Sequence, residues 1–166
     1  MALSNRLGAL VLTTGNKSEL AVGYCTLYGD MNGAVAPLGD LAKMRVYALA
    51  GAMNADPRAF GFSGPPIPTS TLEKPPSAEL APEQRDDDTL PPYEVVDAIV
   101  RLRTEARLGV EDIVQRTGED AGSVERLCRL MAINEYKRWQ YGVVLKVSPV
   151  AFGPGRRMPI AQGWIG

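Results

Sequence analysis

The chain has 166 residues, with 18 basic and 19 acidic side chains and no histidine, which is one domain's worth of chain or part of a larger one. The missing histidine excludes imidazole acid/base catalysis, Ser-His-Asp and Cys-His nucleophile systems and histidine-ligated metals. A net charge of −1 argues against a broad nucleic-acid or membrane surface, though it permits local patches.

Leu7 to Leu12 is shorter than a signal-peptide core, and no stretch approaches the roughly 20 apolar residues of a membrane span. Cys25 and Cys128 are too few for a disulfide framework or a four-cysteine zinc site, and suit a reducing compartment as small buried apolar residues. The chain reads as cytoplasmic and soluble.

Ala9 to Thr13 is a continuous apolar run closed by Thr14-Gly15-Asn16, which predicts a buried strand of a parallel sheet entering a turn. One strand cannot make a sheet, so its neighbours are missing from this stretch. A helical pattern begins at Ser18, with Leu20, Tyr24 and Leu27 on one face, and breaks at Tyr28-Gly29-Asp30. A second helix is expected from Asp40 as N-cap to about Asn54, with Leu41, Met44 and Ala48 inward.

Residues 55–92 hold nine of the 13 prolines and the acid run Asp86-Asp87-Asp88. Such a stretch resists regular helix or central strand, leaving a linker or a long loop that orders around a ligand. Helices resume at Tyr93–Arg107, with Val95, Ile99, Leu102 and Ala106 on one face, then at Val110–Thr117, Ser123–Ala132 and Asn134–Tyr141. Leu145 to Val147 is a candidate edge strand. Residues 1–120 carry −6 and residues 121–166 carry +5, so the C-terminal quarter is basic.

Thr13-Thr14-Gly15-Asn16-Lys17-Ser18-Glu19 lies where a strand ends and a helix opens, the place where open α/β sheets bind ligands. Free N–H groups and the dipole favour an anion there. Thr14 or Ser18 can donate to phosphate, and Glu19 can hold Mg²⁺ together with substrate phosphates. Plain capping by Asn16 or Ser18, with Glu19 complementing the dipole, explains the same residues. The run is not a Walker A loop, because G-x-x-x-x-G-K-S/T is absent. With Asp40 as N-cap, Lys43 stands at N3, where a cation is disfavoured unless it faces an anion; a solvated lysine at small cost is the alternative. Val110–Ala132 has the spacing of a helix-turn-helix, yet Arg126 and Arg129 are few for DNA, and Leu127, Leu130 and Met131 look like core.

The strings TTGNKSELAVGYCTLYGDMNG, GDLAKMRVYALA, KPPSAEL, LPPYEVVDAIV, NEYKR and VLKVSPVAFGPGRRMPIAQGW, in this order, resemble glutamine-dependent NAD⁺ synthetase from about Ala2 to Trp164. The resemblance covers the C-terminal part of that family's synthetase domain. It implies an α/β fold: the C-terminal portion of a Rossmann-like adenine-nucleotide alpha-hydrolase fold, mostly helical here with one or two strands. It further implies α/β core elements over 1–54, an active-site loop over 55–92, a helical region over 93–144 and a basic tail over 145–166. Family members carry a nitrilase-like glutaminase domain and an S-G-G-x-D-S phosphate loop, and these 166 residues contain neither.

The implied reaction adenylates the nicotinate carboxylate of deamido-NAD with ATP, releases pyrophosphate and lets ammonia displace AMP to give NAD⁺. Carried over by position, Thr14, Lys43 and Ser77 match ATP contacts. Glu19 matches the carboxylate associated with Mg²⁺ and deamido-NAD, while Lys137 and, more weakly, Asp30 match deamido-NAD contacts. Leu27 stands where the ammonia-dependent branch has a lysine, which favours the glutamine-dependent branch. The implied partners are deamido-NAD, ATP and ammonia, the missing N-terminal half with its glutaminase, and a second copy in a homo-oligomer. Without the phosphate loop the chain alone is expected to be inactive. A non-catalytic complementing subunit and, behind it, a DNA-binding module are the competing expectations.

Overall fold

The structure, a computed structural model, describes residues 1–74 and 89–163. A short helix α1 (Ala2–Leu7) precedes α2 (Lys17–Val22), β1 (Val35–Ala36) and α3 (Lys43–Ala55). A 3₁₀ turn at Pro57–Phe60 and helix α4 (Thr69–Glu73) follow. The second half runs α5 (Tyr93–Thr104), α6 (Val110–Thr117), α7 (Ala121–Ile133), α8 (Glu135–Arg138) and β2 (Val143–Val144). The fold is therefore mostly helical with two short parallel strands, as the sequence predicts.

The sheet is small because it has few partners. β1 pairs in parallel with β2 in the register Val35 to Val143 and Ala36 to Val144. On its other side β1 meets the segment expected as a strand at 9–13, which is reduced to one parallel bridge between Leu12 and Val35. Thr13 N–H donates to the Val35 carbonyl at 2.9 Å and Ala34 N–H to the Val11 carbonyl at 2.9 Å. The expectation of a strand buried on both faces is corrected: Thr13 is buried, but Leu10 and Leu12 are 72% and 56% exposed. Among the described residues nothing pairs with its outer edge, and the uncovered side chains leave little to hold more than a bridge. The edge strand expected at 145–147 forms two residues earlier, because the Val147 amide is drawn away to Asp40.

The core lies between α2, α5, α6 and α7, where Leu20, Val96, Ile99, Ile113, Val124 and Leu127 are buried, and Phe152 of the tail joins them. α7 buries Leu127 and Met131 as the apolar spacing requires, and Asp120 caps it by accepting from Ser123 N–H at 2.9 Å. α5 starts immediately after Pro91-Pro92, whose fixed φ suits a helix entry. It ends at Thr104, so Ala106 falls beyond the helix and is exposed. Of the predicted inner face of α3, Leu41 and Met44 are half-buried and Ala48 is exposed, while Ala50 is buried instead. The described part of the proline-rich stretch is shaped more than expected, with its 3₁₀ turn and short helix. The Asn54 side chain pairs with both the N–H and the carbonyl of Ile67, at 3.1 and 2.8 Å.

Candidate functional site

The site begins where segment 11–13 ends and α2 opens. Asn16 caps α2, its side chain accepting from the Ser18 and Glu19 amides, while Glu19 returns a carboxylate oxygen to Asn16 N–H at 3.1 Å. This is a complete capping box. The other oxygen of Glu19 takes the Lys43 ammonium at 2.8 Å. The capping reading of the sequence therefore holds, and the cation that Glu19 faces is the Lys43 ammonium. Lys43 Nζ lies 5.2 Å from the Tyr93 ring centre and 5.9 Å from that of Tyr47, within cation–π range. Thr14 is exposed on the turn, and Gly15 is packed so closely that a Cβ would stand 2.6 Å from the Tyr141 hydroxyl. That hydroxyl accepts from Thr13 Oγ1 and donates to the Gly15 carbonyl, which pins the turn.

The start of α3 corrects one expectation. Asp40 does not cap it; Ala42 stands at N-cap without a side-chain bond, and Lys43 is the first helical residue, not the third. The caps come from other elements. Lys43 N–H donates to Ser18 Oγ at 3.0 Å and Met44 N–H to Asp97 Oδ2 at 2.9 Å, while Ser18 Oγ donates to Asp97 Oδ1. Burial pushes the Asp97 carboxyl pKa up, against the pull of these donors. Asp40 is instead buried, accepting from Val147 N–H, Ser148 N–H and Ser148 Oγ at 2.8, 2.6 and 2.8 Å, with Lys17 Nζ at 3.0 Å. Lys17, 4% exposed, also reaches Glu105, Ser148 Oγ and the Val150 carbonyl. A buried lysine at the first position of a helix has no periodicity signal, and its acceptors, Asp40, Glu105 and the 148–150 segment, come from three separate parts of the chain. Sequence reasoning had no means of pairing it.

At the other end of α2 the NEYKR segment closes on the orphan carbonyls of the last turn. Arg138 donates to the Leu20 and Ala21 carbonyls at 3.2 and 2.8 Å, Asn134 to that of Val22 at 3.0 Å, and Lys137 to those of Gly23 and Cys25 at 2.6 and 2.8 Å. Gly23, with φ 77°, lets Asn134 approach so closely that a Cβ would lie 2.0 Å from its side-chain Cγ. Arg138 is buried with Glu135 at 2.8 Å and stacks over Phe152. Asp30 closes the Tyr28-Gly29-Asp30 turn by accepting from Thr26 N–H at 2.6 Å and is exposed.

The structure therefore brings Glu19 and Lys43 into contact and sets Lys137 at the opposite end of the same short helix. Burial pushes the thiol of half-buried Cys25 up to about 11, against the charge of Lys137 and with those of Asp30 and Glu19. Ser77 lies outside the described residues. A cavity of about 350 Å³ opens beside Lys17, Asp40, Met44, Asp97, Arg101 and Ser148, on the network and not against Thr14, Glu19 or Asp30. Among the described residues no three acidic or thiol side chains cluster as a metal cage. A Mg²⁺ ion on Glu19 would thus draw its remaining oxygens from phosphates and water, which is its ordinary habit. No helix among the described residues is long and apolar enough to cross a membrane.

The chain is 49% identical over 166 residues to the glutamine-dependent NAD(+) synthetase of Xanthomonas campestris pv. campestris, covering all of this chain and 29% of that one. It is 47% identical over 164 residues to the Synechocystis sp. protein of the same name, covering 99% of this chain and 28% of that one. The chain thus spans under a third of the length of these relatives. Its fold matches a crystal structure of a glutamine-dependent NAD(+) synthetase from Cytophaga hutchinsonii with a TM-score of 0.74 at 23% identity, over 97% of this chain and 26% of the other. Its α/β class is therefore the Rossmann-like one expected. The family model described as NAD synthase matches residues 1–141, and the chain belongs to the NAD synthase family.

Proposed function

We propose that this chain supplies part of the site that amidates deamido-NAD to NAD⁺ at the expense of ATP. The observation that carries the reading is the meeting of Glu19 and Lys43 at 2.8 Å, on adjoining helix N-termini at the end of a parallel strand segment. Lys43 neutralises ATP phosphate charge, Thr14 and Ser77 donate to it, and Glu19 shares Mg²⁺ with the same phosphates. Glu19, Asp30 and Lys137 receive deamido-NAD. Mg²⁺ would draw charge off the departing pyrophosphate. The chemistry asks for position and charge neutralisation more than proton transfer, so a chain without histidine suffices. ATP turnover also needs a phosphate loop, and none of these 166 residues forms S-G-G-x-D-S; the activity thus belongs to an assembly in which this chain is completed, with ammonia drawn from glutamine.

Given deamido-NAD, ATP, Mg²⁺ and free ammonia, the chain alone is expected to form negligible NAD⁺. Titration with Mg·ATP and with deamido-NAD is expected to show binding. Lys43→Ala should weaken the first, and Lys137→Ala the second, by about tenfold or more, the worth of a charge-assisted contact. Rapid turnover by the chain alone would overturn the divided site, and binding indifferent to both substitutions would overturn the residue assignments. A second reading, a complementing subunit without chemistry of its own, draws on the exposed Leu10 and Leu12 at the outer edge of the sheet. It is favoured if the chain restores activity to a partner segment and Glu19→Gln does not reduce that activity.

A further inference from the structure

α3 has an unusual beginning. Its N-cap is Ala42 and brings no side-chain acceptor, and the nearest acid in sequence, Asp40, is committed to residues 147–148 and Lys17. The first amides of the helix must still be satisfied, and they are satisfied from outside. Lys43 N–H reaches Ser18 on α2, and Met44 N–H reaches Asp97 on α5. Asp97 also accepts the Ser18 hydroxyl, so one carboxylate joins three helices at a point adjacent to Glu19 and on the backbone of Lys43. The same face of α5 acts on the far end of that lysine: Tyr93, four residues before Asp97, lies under its ammonium at 5.2 Å.

We propose that Asp97 is a positioning residue for this site, which ties the first turns of α2 and α3 together and so holds Lys43 against Glu19. Asp97 touches neither side chain of the pair and acts through Ser18 and the α3 backbone. The inference deepens the proposed function and rests on the reading that Glu19 and Lys43 receive the ligands.

The test is a coupling measurement on the intact chain. Urea unfolding of the parent, Glu19→Gln, Lys43→Met and the double variant yields the energetic coupling of the pair. That coupling is expected to be about two- to fivefold in the unfolding equilibrium constant, as for a partly exposed ion pair. Repeated in the presence of Asp97→Asn, it should fall to unity within error. A purely global loss of stability would shift all four proteins alike and leave the coupling intact, and that result would overturn the proposal. If Asp97→Asn does not fold, Ser18→Ala serves, because it cuts the link between Asp97 and the Lys43 amide while sparing the carboxylate. Mg·ATP titration of the same proteins separates the two claims. Coupling that depends on Asp97 in a chain that binds no nucleotide would keep the positioning role and overturn the ligand reading. Nucleotide binding with a coupling indifferent to Asp97 would do the reverse.

Discussion

Asp40→Ala puts a number on the buried network beneath the site. The substitution strips acceptors from Val147 N–H, Ser148 N–H and Ser148 Oγ and removes the counter-ion of Lys17. Removing one member of a buried pair costs about 3–5 kcal/mol, and each orphaned amide adds about 1–3 kcal/mol where water cannot reach it. Val147 is 64% exposed, so water can take up the freed amides, and Lys17 keeps Glu105, Ser148 and the Val150 carbonyl. Together these hold the total near the lower end of the pair's own cost. We expect about 3–4 kcal/mol from urea unfolding near neutral pH, and roughly half that for Asp40→Asn, which keeps an acceptor oxygen. The acid side gives a second readout. Burial alone would raise the Asp40 pKa, but the Ser148 and Val147 donors and Lys17 outweigh it and hold the folded-state value below 3.8. A depressed carboxylate contributes fully above its unfolded value, and that contribution is lost as pH falls below 3.8 toward the folded value. The difference between parent and Asp40→Asn should therefore shrink below that pH. A cost under about 1 kcal/mol for Asp40→Ala, or a difference between parent and Asp40→Asn that does not change with pH, would refute the reasoning.

Two further substitutions address the far end of α2. Arg138→Met leaves Glu135, 1% exposed, without its partner and the Leu20 and Ala21 carbonyls without donors, and should cost about 3–5 kcal/mol in urea unfolding; adding Glu135→Gln should recover part of it. Gly23→Ala forces an alanine to φ 77° and a Cβ onto Asn134, so at least about 2 kcal/mol should be lost, read as a lower thermal midpoint.

Much of this layout was legible in the sequence. The helices of the second half follow from apolar periodicity, and the turn at Thr14-Gly15-Asn16 from its residues alone. Asn16 as a candidate cap with Glu19 in the first turn pointed to the start of α2, whereas Lys43 drew attention through an N3 position after Asp40 that the structure does not give it. What failed was local inference about Asp40. An aspartate two or three residues before a helix reads as its cap, yet this one is taken by Ser148 and Lys17, contacts more than a hundred and more than twenty positions away. With the local cap withdrawn, α3 recruits Asp97 and Ser18, and no sequence pattern connects those residues. The strand at 9–13 was misjudged for the complementary reason. Apolar continuity reports what a segment would bury against a full sheet, and among the described residues only one neighbour, β1, pairs with it.

Part of the basic excess of the C-terminal quarter has its explanation in α2. A helix of six residues does not hold itself together in water, because its few hydrogen bonds cannot repay nucleation; α2 is held from outside at both ends. Ser148 and the Val150 carbonyl grip Lys17 at its start, and Asn134, Lys137 and Arg138 occupy the carbonyls at its finish. All of these come from the basic C-terminal quarter. Two of that quarter's seven cations are thus committed to the negative end of a helix, where a positive charge is favoured, and Arg138 is buried there. Part of the patch that might suggest an acidic partner is internal scaffolding. Glu19, in the first turn of α2, inherits its position from that scaffold, so damage to the tail should reach the Glu19–Lys43 pair although no tail residue among those described bonds to either side chain.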